Sequence, residues 1–431
     1  LSAESVRRIT LEHLLAGAAL GSPASDGAGI SGSPASQGHG ITGPGSTDSY
    51  LFGGFDSRMP VAVCMEAPPR ESEAECKTRF GRRPVIMTLD TGALAHPWLD
   101  VRAYPGRVGD YQTQPDGFVN VDWDMQDVIR QESEQAGNAG DRPRQVIRTP
   151  WDKPFTSEPL VGELATDVGH GVFIAGIVRQ VVPNARVLSV RVMFSDGIVY
   201  EGVLIRALRL LATRVAAAMA KGGDMAKMVD VLSLSLGYFS ETPADEFYTS
   251  GLWDVIDTLL GMGVAVTASA GNYATSRRCY PAAFADRTPT QDLAAPLISV
   301  GALNPNGSKA VFSDGGPWVR AWATGAAIVS TFPAELNGSR QPQIRRPAHP
   351  ANPVLPGLAV SGEREAFDSD DFGGAFAIWS GTSFSAPLVA ATLARLLLQG
   401  AADPGLRLDE GGTDAAVRRI RQALTDLGWQ G

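Results

Sequence analysis

Short, unbroken apolar blocks alternate with stretches of helical spacing from residue 83 onward. Residues 85–89, 186–192, 231–236, 264–269 and 297–302 each read as a strand covered on both faces, the pattern of a parallel sheet. Between them, residues 199–220 and 245–260 carry the period of an amphipathic helix. Strands alternating with helices predict right-handed crossovers and an α/β fold. Ligand sites in such sheets lie beyond the carboxyl ends of the strands. Residues 388–398 are apolar almost throughout and predict a buried helix.

The pattern is absent before residue 83 and breaks twice after it. Residues 4–20 place Val6, Ile9, Leu11, Leu14 and Leu15 near one side of a short helix, so 1–20 reads as an N-terminal helix. Residues 21–48 are dominated by Gly, Ser, Ala and Pro and read as a flexible linker. Residues 49–82 read as an extension packed on the main domain at 83–431. Within that domain, 100–168 and 333–378 are rich in Pro, Gly and charge and have little period, so both read as long loop insertions.

Composition narrows the classes. The chain has 431 residues, 44% hydrophobic and 19% charged, which suits a large folded core. With 37 basic against 46 acidic residues, the net charge of -9 and the lack of a basic run disfavour nucleic acid. No apolar stretch reaches membrane-spanning length. The first residues lack a signal-peptide layout, so a secreted form would need a signal already removed. Of the three cysteines, Cys64 and Cys76 are near enough for a local disulfide, Cys279 stands apart, and none has zinc-site spacing.

The candidate chemistry is a hydroxyl with a base and a carboxylate. Ser383 lies between a Gly-Thr turn and the apolar run at 388–398, where a helix start offers free N–H groups and a positive dipole end. Of His13, His39, His96, His170 and His349, only His170 opens an apolar helical run, with small Gly171, Ala175 and Gly176 allowing close packing. Asp90 ends a buried strand and precedes Thr91-Gly92; an acid there needs a partner. Taken singly, each has a plain structural role: a capped core helix, a satisfied core histidine, a turn aspartate. Together they have the composition of a nucleophile, base and orienting acid.

The order Asp90, His170, Ser383 is the subtilisin order. Leu89-Asp90-Thr91-Gly92 followed by His96-Pro97 resembles the subtilase aspartate motif. Gly169-His170-Gly171 with Ala175-Gly176 resembles the histidine motif, and Gly381-Thr382-Ser383 with Ser385-Ala386-Pro387 the serine motif. The resemblance covers roughly 83–400 apart from the two insertions. It implies a three-layer, mostly parallel twisted sheet flanked by helices, and a serine endopeptidase. It also implies that Asn272, in Ala268-Ser269-Ala270-Gly271-Asn272, joins the backbone N–H of Ser383 in an oxyanion hole. Ser235, Leu236 and Gly237 would form one substrate-binding edge and Gly197, Ile198 and Val199 the other, with a polypeptide lying between them as an added strand. Ser269, Ala270 and Gly271 would form the far pocket wall. No acid stands in these walls, which implies an apolar or small residue before the scissile bond.

The chain also departs from the family pattern. Val172 and Phe173 follow His170-Gly171, where relatives often have Thr and then a second His, and Trp98 stands where many carry a calcium-binding Asp. No cofactor is implied. Calcium would find acids at Asp122, Asp124 and Asp127 or at Asp368, Asp370 and Asp371, which read as solvated loop acids without EF-hand spacing. Asn306-Gly-Ser308 and Asn337-Gly-Ser339 match a glycosylation pattern but read as turns. The N-terminal arm is too rich in Gly and Ser in its middle for a compact inhibitory prodomain, so the arm or the insertions are expected to restrict access and make a selective processing enzyme. The contrasting expectation is a binding protein that kept a subtilase fold without its chemistry.

Overall fold

The computed structural model describes residues 14–17, 59–61, 65–107, 109–138, 144–152, 156–158, 163–240, 250–336, 346–347, 363–364 and 372–429. The strands that build the site, in chain order, are β1 Leu14–Gly17, β2 Val85–Asp90, β3 Val119–Val121, β4 Arg186–Arg191, β5 Ile198–Tyr200, β6 Val231–Leu234, β7 Leu236–Phe239, β8 Ala265–Ser269, β9 Leu297–Leu303 and β10 Ala321–Thr324. The helices are α1 Glu73–Phe80, α2 Trp123–Asn138, α3 His170–Val181, α4 Glu201–Met219, α5 Ser250–Gly261, α6 Thr382–Gly400 and α7 Thr413–Asp426.

Seven strands form one sheet in the order β10-β9-β8-β6-β2-β4-β3, and every neighbouring pair is parallel. Side chains alternate between its faces. Met87 and Leu232 point into a core shared with Ile129 of α2, Leu208 of α4 and Ile256 of α5. Ile86 and Val231 point the other way, onto Val178 of α3, Leu393 of α6 and Ile420 of α7. Two helical layers thus sandwich the sheet, as the alternation of strand and helix patterns predicts. Among the described residues no helix is long and apolar enough to cross a membrane.

Two expectations are corrected. Leu14–Gly17 is a strand, not part of a helix. It forms antiparallel pairs with β5 on one side and β7 on the other. Two open sheet edges satisfy its backbone better than an isolated short helix, which is marginal in water. The rest of 1–20, and the linker at 21–48, lie outside the described residues. The stretch 100–168 is not loop alone. It supplies β3, the edge strand of the main sheet, and the 16-residue α2. Met125, Ile129 and Ser133 form the buried stripe of α2, and Asp122 accepts the Met125 N–H at its start.

The segment before the sheet is tied to it by specific contacts. Ser72 and Glu75 form a capping box at the start of α1, whose Cys76 and Phe80 join the second core. Arg70 donates to the carbonyls of Asp116 and Pro183. The strand Phe376–Trp379, which leads into the Ser383 turn, pairs with Ile328–Thr331 and with Met59–Pro60. Most of 337–371 lies outside the described residues, as do Cys64, His13, His39, His349, Asn337 and the acids at 368–371.

Candidate active site

Asp90 is the last residue of β2 and is almost fully buried. One oxygen accepts the Thr91 N–H at 2.7 Å. Both oxygens face Nδ1 of His170, at 2.8 and 3.0 Å. The helix that carries His170 comes this close because it starts on two glycines. Gly169 has φ +84°, a left-handed conformation that costs glycine little. A Cβ on Gly171 would stand 2.4 Å from the Gly92 carbonyl. Instead, the Gly171 N–H reaches the Thr91 hydroxyl at 3.1 Å. The first residue of α3 is thereby pinned against the last residue of β2.

The His170 ring is fully buried, edge-on to Trp379 and tilted against Phe384. Its Nε2 has no hydrogen-bond partner among the described residues. Burial disfavours the imidazolium, but the charge and hydrogen bond of Asp90 favour it, as do Asp167 and Asp152, and His170 stands above its ordinary value. His96 contrasts with it. Burial lowers its pKa to about 4 against a hydrogen bond to the Ala375 carbonyl, and its ring packs between Trp98 and Phe376, a structural role.

Ser383 is the second residue of α6. Pro387, four residues on, has no N–H to give the Ser383 carbonyl. That carbonyl instead accepts the Ser235 hydroxyl at 2.8 Å, while the Ser383 hydroxyl donates to the Ser235 carbonyl at 3.2 Å. The start of α6 is thus locked to the turn between β6 and β7. Asn272 holds its other side. The Asn272 amide oxygen accepts both the N–H and the hydroxyl of Thr382 at 2.9 Å, and the Thr382 hydroxyl also accepts from Gly271 N–H. Because both Thr382 groups donate, the oxygen of Asn272 is the atom turned inward and its NH2 points elsewhere.

The turn carrying Asn272 follows β8 and is shaped by Asp314. Gly271 has φ +110°, and a Cβ there would strike an Asp314 oxygen at 2.2 Å. Asp314 donates its N–H to the Gly271 carbonyl and accepts from the N–H groups of Tyr273 and Thr275. Nothing in the sequence pattern marked Asp314, nor Asp152 described below; each is a lone acid among turn residues whose partners are distant in the chain.

The remaining candidates lie on two strand edges and at the end of a third strand. Ile198 and Val199 lie in β5, reached through the left-handed Gly197, and Leu236 and Gly237 open β7 just after Ser235. Ser269 ends β8, with Ala270 and Gly271 next along the chain. Between β5 and β7 runs β1, with Leu15 opposite Val199 and Ala16 opposite both Ile198 and Gly237. Leu15 is buried in the core that holds Val199, Leu204 and Leu236, whereas Leu14 is exposed.

Two of the acids considered for calcium face arginines, Asp127 lying 3.6 Å from Arg130. Asp122 pairs with Arg214 at 2.8 Å as well as capping α2. Trp98, at the calcium-aspartate position, is buried and donates to the Met65 carbonyl.

Comparison with known proteins matches the model of the subtilase family over residues 81–420. The chain belongs to the subtilase family. This subtilase is 26% identical over 276 residues to a thermophilic serine proteinase of Bacillus sp. (strain AK1), covering 64% of the chain and 51% of that protein. It is 28% identical over 184 residues to subtilisin BL of Lederbergia lenta, covering 40% of the chain and 57% of that protein. It therefore spans between half and three fifths of the length of these relatives. Among solved structures, a cold adapted subtilisin-like serine proteinase aligns with a TM-score of 0.43 and 16% identity, over 82% of this subtilase and 87% of that chain.

Proposed function

We propose that this subtilase is a serine endopeptidase in which Ser383 attacks a peptide carbonyl, His170 takes its proton and returns it to the leaving amine, and Asp90 holds the imidazole. The observation that carries this reading is the buried Asp90–His170 pair, 2.8 Å apart, with the far nitrogen of the ring unbonded at the carboxyl end of a parallel sheet. Asp90 sits on Nδ1, which leaves Nε2 as the atom that exchanges the proton. The Ser383 hydroxyl reaches it by rotating away from the Ser235 carbonyl. Asn272 and the Ser383 N–H at the start of α6 would steady the oxyanion. The locked amide oxygen of Asn272 supports this role, because it fixes the donor end before the substrate arrives.

The substrate would bind as a strand between Gly197-Ile198-Val199 and Ser235-Leu236-Gly237, with Ser269, Ala270 and Gly271 lining the pocket for the residue before the scissile bond. Support comes from β1, which occupies that slot in antiparallel register with both edges. An apolar side chain seats at the Leu15 position, and the walls described carry no acid. Because the occupant is the chain's own arm, access by other peptides requires its removal or displacement, and this suits a selective processing enzyme.

Hydrolysis of a peptide library and labelling by a fluorophosphonate test the assignment together. Ser383→Ala is expected to abolish both. Asn272→Ala is expected to keep labelling slow but measurable and to lose about a hundred- to a thousand-fold in kcat with little change in KM. Hydrolysis undiminished in Ser383→Ala would refute the mechanism, and a folded wild type that neither labels nor hydrolyses would favour a silent binding protein.

A further inference from the structure

A second carboxylate stands behind the His170 helix, and it comes from the 100–168 stretch. Asp152 is fully buried. One oxygen accepts the Gly169 N–H at 2.7 Å, one residue before His170. The other accepts the Ser195 hydroxyl at 2.7 Å. The Thr91 side chain, next to Asp90, also hydrogen-bonds to it. The segment reaches this position because Gly92 has no side chain. A Cβ on Gly92 would lie 2.2 Å from the Pro150 carbonyl, and that carbonyl accepts the Ala93 N–H while the Asp152 N–H returns to the Ala93 carbonyl.

We propose that Asp152 is a positioning residue for His170, a single buried carboxylate that fastens the start of the helix to the Asp90 turn and adds a further negative charge behind the imidazole. The inference rests on the reading of His170 as the base.

The polar contacts of this carboxyl favour its charged form against the effect of its burial. The Gly169 N–H and the Ser195 hydroxyl direct hydrogens at it, and the Arg191 guanidinium, itself donating to the Trp151 carbonyl, attracts it electrostatically. Burial raises its pKa, and the pull of Arg191, Ser195, Thr91 and the Gly169 N–H offsets part of that rise. The acids acting on His170 are Asp90, Asp167 and Asp152, so removing one negative charge lowers the affinity of the ring for its proton. Asparagine fits the site with little change: its oxygen keeps the Gly169 N–H, and the Ser195 hydroxyl turns to accept from its NH2.

The test is the pH dependence of kcat/KM for wild type, Asp152→Asn and Asp152→Ala. In Asp152→Asn the acidic limb is expected to move down by about one pH unit while the plateau is largely kept. In Asp152→Ala the helix start is released as well, and kcat is expected to fall about a hundred-fold with KM nearly unchanged. An Asp152→Asn profile superimposed on that of the wild type overturns the proposal, whether or not Asp152→Ala folds. An NMR titration of the His170 ring, assigned with His170→Gln, reads the same shift without turnover. Failure of Ser383 as nucleophile would thus leave the role of Asp152 separately decided.

Discussion

Asp314 is held in a place that disfavours its charge. Burial raises its carboxyl to about 7, against the N–H groups of Thr275 and Tyr273 and the charge of Arg277. The folded protein therefore keeps a proton that the unfolded chain has lost, between its ordinary value of 3.8 and about 7. Stability from this group is complete below 3.8 and is lost as the pH rises through about 7. The difference caps the effect at about 4 kcal/mol. Asp314→Asn removes it, so denaturant midpoints of the variant are expected to fall less steeply than those of the wild type between pH 4 and pH 8. Parallel curves would show that the carboxyl is ionised throughout. Asp90, His170, Asn272 and Ser383 were legible because each stands in a short motif at a strand end or helix start, where local chemistry constrains its neighbours. Asp152 and Asp314 have no such signature. Their work is done on Gly169 and on the 271–275 turn, and the fold alone makes those residues their neighbours.

Among the elements, β1 departs furthest from its sequence pattern. Leu14 and Leu15 suit one side of a helix as well as they suit neighbouring positions of a strand, and a four-residue segment has too little local preference to resist its surroundings. The open edges of β5 and β7, more than 180 residues away in the chain, decide the outcome. In the proposed substrate slot, the same pairing makes the arm a competitor of an added peptide. Deleting residues 1–48 is expected to raise kcat/KM for added peptides by about tenfold or more, since a slot that is mostly filled multiplies the apparent affinity by its small open fraction. Leu15→Asp is expected to have a similar effect, by placing a charge in an apolar core. Unchanged kinetics in both variants would remove the arm from any regulatory role. The helix α2 was hidden for the opposite reason. Its apolar stripe is thin, and polar residues such as Gln126 and Ser133 fill buried positions.

Across the molecule, the two central strands of the sheet are anchored by a buried ion pair. Arg82 meets both oxygens of Asp230 at 2.7 Å, and Asp230 also accepts the Val85 N–H that starts β2. Arg82→Met leaves that carboxylate without its cation and is expected to cost about 3–5 kcal/mol in urea unfolding. The double variant Arg82→Met with Asp230→Leu is expected to recover much of that loss; equal losses in single and double variants would mean that the pair contributes through packing alone. Period and composition were enough to determine an α/β sheet with helices on both faces, because burial on two faces and amphipathic spacing are local properties of a segment. The motifs added the family and the order of the residues proposed to react. Which strand fills the slot, which acids stand behind His170 and Asn272, and how the Ser383 carbonyl is satisfied depended on contacts between distant segments. Those contacts exist only once the sheet brings its carboxyl ends together.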